Sequence, residues 1–457
     1  EGPDAPLWHD RLTRDLDNLR AALDRLLDQR PADASLSVAS ALFRFWSLGP
    51  HRQAGREYLR RALEQAGAES SPVAARTLLT AAHLANQAAA YQDATRLYEQ
   101  SRIMFESLGD VAGVAMVEIA HGMIELNLGQ LETAFTWFTA SRAHYEQAGD
   151  GAGVADAIGC AGNARSAQGR LIEATALLEA AERRYRELGD DLGLAICRVD
   201  QADTLRDQGH PGEAAALLED SLDALRRYGN WHGLGLALTR LADVVREQGD
   251  LARSADLLDE AATLSTQVHS QGLAGWALLQ RCRLGLAARD FAAAQQAGEQ
   301  AIPLLDAGGA RWESCEAQET LALVHAAQGE WEGARRLALE SLIGFAAMGA
   351  QVWTVNVLET VIAILAATRP DPRLAAAGAA ADSVRQTLRA RRLPTREARF
   401  ARAMDILRAA LGADGFAAAW ERGATTSLAE AVAAVNALSE SSTGINSGVS
   451  NQATIIK

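Results

Sequence analysis

Residues 112–150 read AGVAMVEIAHGMIELNLGQLETAFTWFTASRAHYEQAGD, and this stretch decides the fold. Up to Leu128 its apolar residues Val114, Ala115, Val117, Ile119, Ala120, Met123, Ile124 and Leu126 form one broad helical face. Gly129–Gln130 follows, a tight turn where a residue without Cβ can take positive φ. A second helix is predicted from Leu131 to Ala148, with Ala134, Trp137, Phe138, Ser141 and Tyr145 along one stripe. Gly149–Asp150 closes the unit and places Asp150 to cap the next helix. Helices of about 15–18 residues are about 25 Å long.

The unit recurs at a forty-residue interval. Gly109, Gly149, Gly189 and Gly229 mark the joints, and Gly129, Gly169, Gly209, Gly249 and Gly329 mark the mid-unit turns. Ala288–Arg289–Asp290 interrupts the second series. Small residues recur in register: Ala54, Ala94, Ala134, Ala174, Ala214, Ser254, Ala294 and Ala334 after the turn, expected at the crossing within a pair. Ser101, Ser141, Ala181, Ser221, Ala261, Ala301 and Ser341 are expected at the crossing with the next unit. Ala82, Gly122, Gly162, Ala202, Ala242, Cys282 and Ala322 occupy the matching place in the first helices. Helices approach to packing distance where such side chains are short. Self-similarity of this kind builds a solenoid by stacking one helix pair on the next.

Turns fall near residues 49, 89, 129, 169, 209, 249, 289, 329 and 369, giving about nine pairs. The expected organisation is an entry helix within 1–30 (about Leu7 to Leu27), a repeat array over 31–370, and capping helices over 371–440 with a stop at Leu411–Gly412. Residues 441–457 change to Ser, Thr, Gly and Asn and read as a flexible or foreign tail. Hydrophobic residues make up 48% of the chain and proline numbers only 10, which favours helix nearly throughout.

The formal charge of -14 argues against a direct nucleic-acid surface, although Arg389, Arg391, Arg392, Arg396 and Arg399 cluster locally. No run of about eighteen uninterrupted apolar residues suggests a membrane span. Cys160, Cys197, Cys282 and Cys315 are widely spaced without a CxxC, which fits a reducing cytoplasm. Scattered histidines, with no HExxH, suggest no metal and no cofactor. His83, His121 and His325 read as packed or wall residues, Cys282 as a buried small residue, and Ser141 and Ser221 lack a partner base, so no enzyme is expected.

The small residues of both helices, with the apolar residue four before the last of them (Tyr98, Phe138, Leu178, Leu218, Leu258), resemble the tetratricopeptide repeat. The period is longer than that family's thirty-four. The longer version is similar to the sensor repeats of bacterial signal-transduction ATPases, the MalT-like and AfsR-like transcription regulators. Three segments add to the resemblance. They are Leu12-x-x-Asp15-Leu16-Asp17-Asn18-Leu19-Arg20, Phe43-Arg44-Phe45-Trp46 with Gly55-Arg56-Glu57-Tyr58-Leu59, and Leu411-Gly412-x-x-Gly415-Phe416-x-x-Ala419-Trp420. The resemblance implies an all-α, right-handed tetratricopeptide-like α-α solenoid with a non-catalytic sensing and protein-interaction role. It implies control of an ATPase domain of the same parent protein and of a transcriptional output outside this chain. Protein or peptide partners and a small-molecule inducer are the implied ligands. A freestanding adaptor that assembles a complex is the alternative.

Stacked pairs curve, and first helices are expected on the concave wall. One stripe there runs His83, Met123, Asn163, Asp203, Asp243, Arg283, and another runs Asn86, Leu126, Ser166, Arg206, Arg246, Leu286. Asn163, Asp203, Arg206, Asp243, Arg246 and Arg283 are therefore the candidate binding residues, able to hold a polar ligand through hydrogen bonds and bidentate arginine contacts. The alternative is that Asp203–Arg206 and Asp243–Arg246 are surface ion pairs at i, i+3. Trp231, Trp276, Trp312 and Trp353, near the joints, either fill the core or form a docking strip.

Overall fold

The computed structural model describes residues 5–440 apart from 30–31, 48–50, 68–69, 89, 308–309, 389 and 391. The expected tail over 441–457, the turn centres at 49 and 89, and Arg389 and Arg391 lie outside the described residues. Five helices form the irregular entry: α1 (Ala5–Arg14), α2 (Leu16–Gln29), α3 (Ala32–Ala41), α4 (Phe43–Ser47) and α5 (Arg52–Ala66). The expected single entry helix is thus two, meeting at Asp15, where the i→i−4 hydrogen bonds continue from Asp15 N to Arg11 O and from Leu19 N to Asp15 O.

Regular pairs follow: α6 (Pro72–Gln87) with α7 (Tyr91–Leu108), α8 (Val111–Asn127) with α9 (Leu131–Ala148), α10 (Gly151–Ala167) with α11 (Leu171–Leu188), and α12 (Asp191–Asp207) with α13 (Pro211–Arg227). The second half continues with α14 (Trp231–Glu247) and α15 (Leu251–Gln267), α16 (Gln271–Ala288) and α17 (Phe291–Ala307), α18 (Arg311–Gln328) and α19 (Trp331–Ala347), and α20 (Gln351–Thr368) and α21 (Pro372–Leu388). The chain closes with α22 (Pro394–Gly423), which breaks at Gly412 (φ 72°), and α23 (Leu428–Glu440). The expected helix stop at Leu411–Gly412 is that break. The described residues contain helices and no strand, and the architecture is an α-α solenoid of the tetratricopeptide kind.

The joint between pairs follows from local chemistry. Gly109 sits left-handed at φ 69°, Asp110 N donates to Phe105 O and Gly109 N to Glu106 O, both at 3.0 Å, which satisfies carbonyls the helix end would leave open. Asp110 then accepts from Gly113 N at 2.8 Å and caps α8. Asp150, Asp190 and Asn230 repeat this cap. Gly113 is needed because Phe105 lies against it: an added Cβ would fall 2.3 Å from the ring.

The crossings are as tight as the small residues suggest. Ala94, Ala134, Ala174, Ala214, Ala294 and Ala334 are fully buried, and Ser254 donates to Ala242 O in its own pair. The second small position differs from expectation. Ser101, Ser141 and Ser341 donate to Ala75 O, Ala115 O and Cys315 O at 2.8, 2.8 and 2.7 Å, so these hydroxyls tie the two helices of their own pair. A helical carbonyl keeps a spare lone pair for such a donor.

At the far end α20 to α23 share one core with α16 to α19. Among the described residues α20 alone has the length and apolarity to cross a membrane, and it is mostly enclosed by its neighbours. The superhelix also meets itself. A Cβ on Gly129 would lie 2.2 Å from Met348 Cα, and one on Gly169 would lie 2.5 Å from Val352 Cγ2. The α8–α9 and α10–α11 turns therefore touch the α19–α20 joint several pairs further along.

A charged cavity on the concave wall

Polar residues of the first helices bond across repeats. Arg206 on α12 reaches Asp243 on α14 at 3.1 Å, and Arg283 on α16 reaches the same carboxylate at 3.0 Å. Arg246 completes the cluster at 2.7 Å. Arg283 continues to Glu316 on α18 at 2.9 Å. Asp203 pairs with Arg240 of the next repeat at 3.0 Å, closer than its own Arg206 at 3.9 Å. Arg240 also holds Asp200 at 3.2 Å, and Asn163 donates to that residue at 2.8 Å. Both i, i+3 pairs form, Asp243–Arg246 at 2.7 Å and Asp203–Arg206 at 3.9 Å, but Asp243 is buried rather than on the surface and most of the network joins neighbouring repeats.

This wall ends in a cavity of about 300 Å³. Charged residues Arg206, Asp207, Asp243, Arg246, Glu247 and Arg283 and apolar residues Leu286, Phe291, Leu323, Val352 and Trp353 line it together. The start of α22 also lines it, contributing Arg396 and Arg399 with Leu393 and Thr395. Arg396 is anchored to Glu319 at 2.7 and 3.0 Å, and Thr360 donates to Glu319 at 2.7 Å. Four of the six candidate residues, Arg206, Asp243, Arg246 and Arg283, thus meet at one cavity. Asn163 and Asp203 lie farther along the wall and do not line it.

Electrostatics follow from enclosure. Burial opposes ionisation of Asp243, but Arg283, Arg246 and Arg206 outweigh it and hold the carboxyl well below the usual range. Glu319 behaves alike: burial would raise it, and the charge and hydrogen bonds of Arg396, with Arg399 and Thr360, bring it down to about 2. Asp207 and Glu247 go the other way, pushed up chiefly by burial. Glu313, farther along the wall, is raised to about 7 by burial and then by Glu316. Burial, with Arg396 beside it, lowers Arg399 to about 10.

Cys197, Cys282 and Cys315 are packed. Cys282 is fully buried and its thiol is pushed up to about 12, as burial also pushes Cys197 to about 12 and Cys315 to about 11. His83 is lowered to about 4 by burial and contacts Tyr98. Of the joint tryptophans, Trp312 and Trp353 pack with Phe345 and each other, while Trp353 also faces the cavity. Trp276 packs against His232.

Comparison with known proteins supports the helical-repeat fold. Residues 153–227 match the tetratricopeptide repeat. No curated sequence matches the chain. Among solved structures, a Rap protein complexed with competence and sporulation factor is similar, at 11% identity and a TM-score of 0.57, over 74% of this chain and 93% of that one. A signal transduction ATPase with numerous domains and a tetratricopeptide repeat sensor, from Pyrococcus horikoshii, aligns at 14% identity and a TM-score of 0.43 over 73% of this chain and 52% of that one. The apo quorum sensor NprR from B. thuringiensis aligns at 15% identity and a TM-score of 0.48, over 74% of this chain and 94% of that one.

On a tetratricopeptide-like lattice several site residues were within reach of the sequence. Asp200, Arg240 and Gln280 form a third forty-residue stripe three positions before Asp203, Asp243 and Arg283. Arg289 marks the gap in the glycine series and lines the cavity. Arg396 and Arg399 stood in the basic cluster, but their meeting with Glu319 depends on how α22 folds back, which no periodicity encodes.

Proposed function

We propose that this chain is a non-catalytic sensing and protein-interaction array of a bacterial multidomain regulator, whose concave cavity takes a ligand. On this reading occupancy of the cavity controls an ATPase and a transcriptional output elsewhere in the same parent protein. The observation that carries it is the convergence of first-helix side chains from α12 to α20 with the start of α22 on one cavity. A ligand there would touch five repeats at once and so couple to the curvature of the whole array. The similar Rap protein is complexed with a factor, which supports a binding role for this architecture. The entry and closing segments support the regulator assignment by resemblance, and a division into entry, array and capping parts accompanies it.

Native mass spectrometry on protein purified gently from its host tests the reading. The wild-type chain should carry a mass that dissociates on unfolding, and Leu286→Trp, which fills the cavity, should lose it. A bare wild-type chain, or a ligand retained equally by L286W, would remove the cavity from the account.

A further inference from the structure

The cavity has six arginines, Arg206, Arg246, Arg283, Arg289, Arg396 and Arg399, against four carboxylates, Asp207, Asp243, Glu247 and Glu319. Four of those arginines are matched: Arg206, Arg246 and Arg283 by Asp243, and Arg396 by Glu319. Arg289 and Arg399 line the same cavity, and among the described residues neither makes an ion pair or a side-chain hydrogen bond. Burial and the neighbouring Arg396 outweigh the charges of Glu319 and Glu359 and lower the proton affinity of Arg399, so a further anion beside it would be stabilised. Arg289 is exposed at the edge of the cavity and Arg399 is half-buried, and a half-buried cation short of counter-charge favours a bound anion.

Arg289 adds an independent argument. It occupies the mid-unit turn at φ 63°, where Gly129, Gly169, Gly209, Gly249 and Gly329 stand in other pairs. A left-handed arginine is disfavoured where glycine is free. This pair alone among those six turns therefore accepts a strained backbone and gains a guanidinium at the cavity rim. The same cavity is lined by Leu286, Phe291, Leu323, Val352 and Trp353.

The geometry points to a small amphiphilic anion as the ligand: an apolar body against Phe291, Leu323 and Trp353, and a carboxylate or phosphate group held between Arg289 and Arg399. The anion would complete the charge balance of the cavity and bridge the α16–α17 turn to α22. This inference rests on the cavity being a ligand site, and it names the ligand's chemistry.

Isothermal titration calorimetry on the full chain tests it with octyl phosphate, octanoate, octanol and inorganic phosphate. One or both amphiphilic anions should bind at least about tenfold more tightly than octanol or inorganic phosphate, and their ranking separates a phosphate from a carboxylate. Arg399→Gln and Arg289→Gly should each weaken the better anion by about tenfold or more. Both variants should stay folded, since R289G relieves a strained turn and R399Q removes no hydrogen bond or ion pair. Octanol binding as well as the anions would overturn the charge assignment while leaving the cavity as a site. Binding by none of the four would overturn both. Anion affinity unchanged in R289G and R399Q would place the anion elsewhere and sink the proposal.

Discussion

Asp243 shows how one side chain can change meaning between sequence and structure. Its forty-residue stripe marks it as a residue of the inner wall, yet only 3% of its side chain is exposed. Three arginines from α12, α14 and α16 converge on it, so it fastens three successive repeats. Asp243→Asn would place an amide where three guanidinium donors point, and would leave those cations without their shared counter-charge. We expect a loss of about 3–5 kcal/mol in chemical denaturation, the range for breaking a buried pair from one side. A loss below about 1 kcal/mol, the scale of exposed pairs, would mean the cluster is solvated and free to serve a ligand alone. The stripes were legible because they share the repeat period. The partnership across repeats was not, because Arg206 has an acceptor at i−3 and the sequence gives no reason to prefer the one on the next helix.

Among elements, α22 is the one whose position the repeat cannot dictate. Its break at Gly412 is readable as a glycine stop, but the route of its first turn over the concave wall depends on a contact between Arg396 and Glu319, far apart in sequence. Glu319 titrates at about 2 when folded, against an ordinary glutamate value of 4.5. Its folded value is depressed, so its contribution is fully present above about pH 4.5 and is lost as pH falls through about 2. The shift corresponds to about 3 kcal/mol when fully expressed. Glu319→Gln should therefore be less stable than the wild type at pH 7, with the difference shrinking as pH drops from 4.5 to 2. At pH 7 hydrogen exchange should speed up over 395–411 more than in α14 or α16. A stability difference that stays constant from pH 7 to pH 2 would show that the Arg396 contact does not hold α22 in place.

For the whole molecule, the forty-residue period specifies pairs and their stacking, but not where a growing superhelix meets its own earlier turns. That meeting is visible at Gly129, which lacks the side chain that would strike Met348, and at Gly169 beside Val352. These glycines look like their equivalents in sequence, since each ends a first helix with positive φ. Gly329 is the matched comparison: its φ is 85° against 77° for Gly129, and nothing lies within 4 Å of where its Cβ would be. Alanine at either position carries a left-handed penalty of about 1–2 kcal/mol. Only Gly129→Ala adds a collision with a backbone atom, at 2.2 Å from Met348 Cα, which a side-chain rotation cannot relieve. We expect Gly129→Ala to be less stable than Gly329→Ala, to raise the radius of gyration in small-angle scattering, and to release a cavity ligand faster. If the two variants match in scattering and release rate, the touching turns are incidental and the cavity is held shut by α22 alone. If they differ as expected, closure of the superhelix and closure of the cavity are one motion, because Val352 contacts Gly169 on one side and lines the cavity on the other.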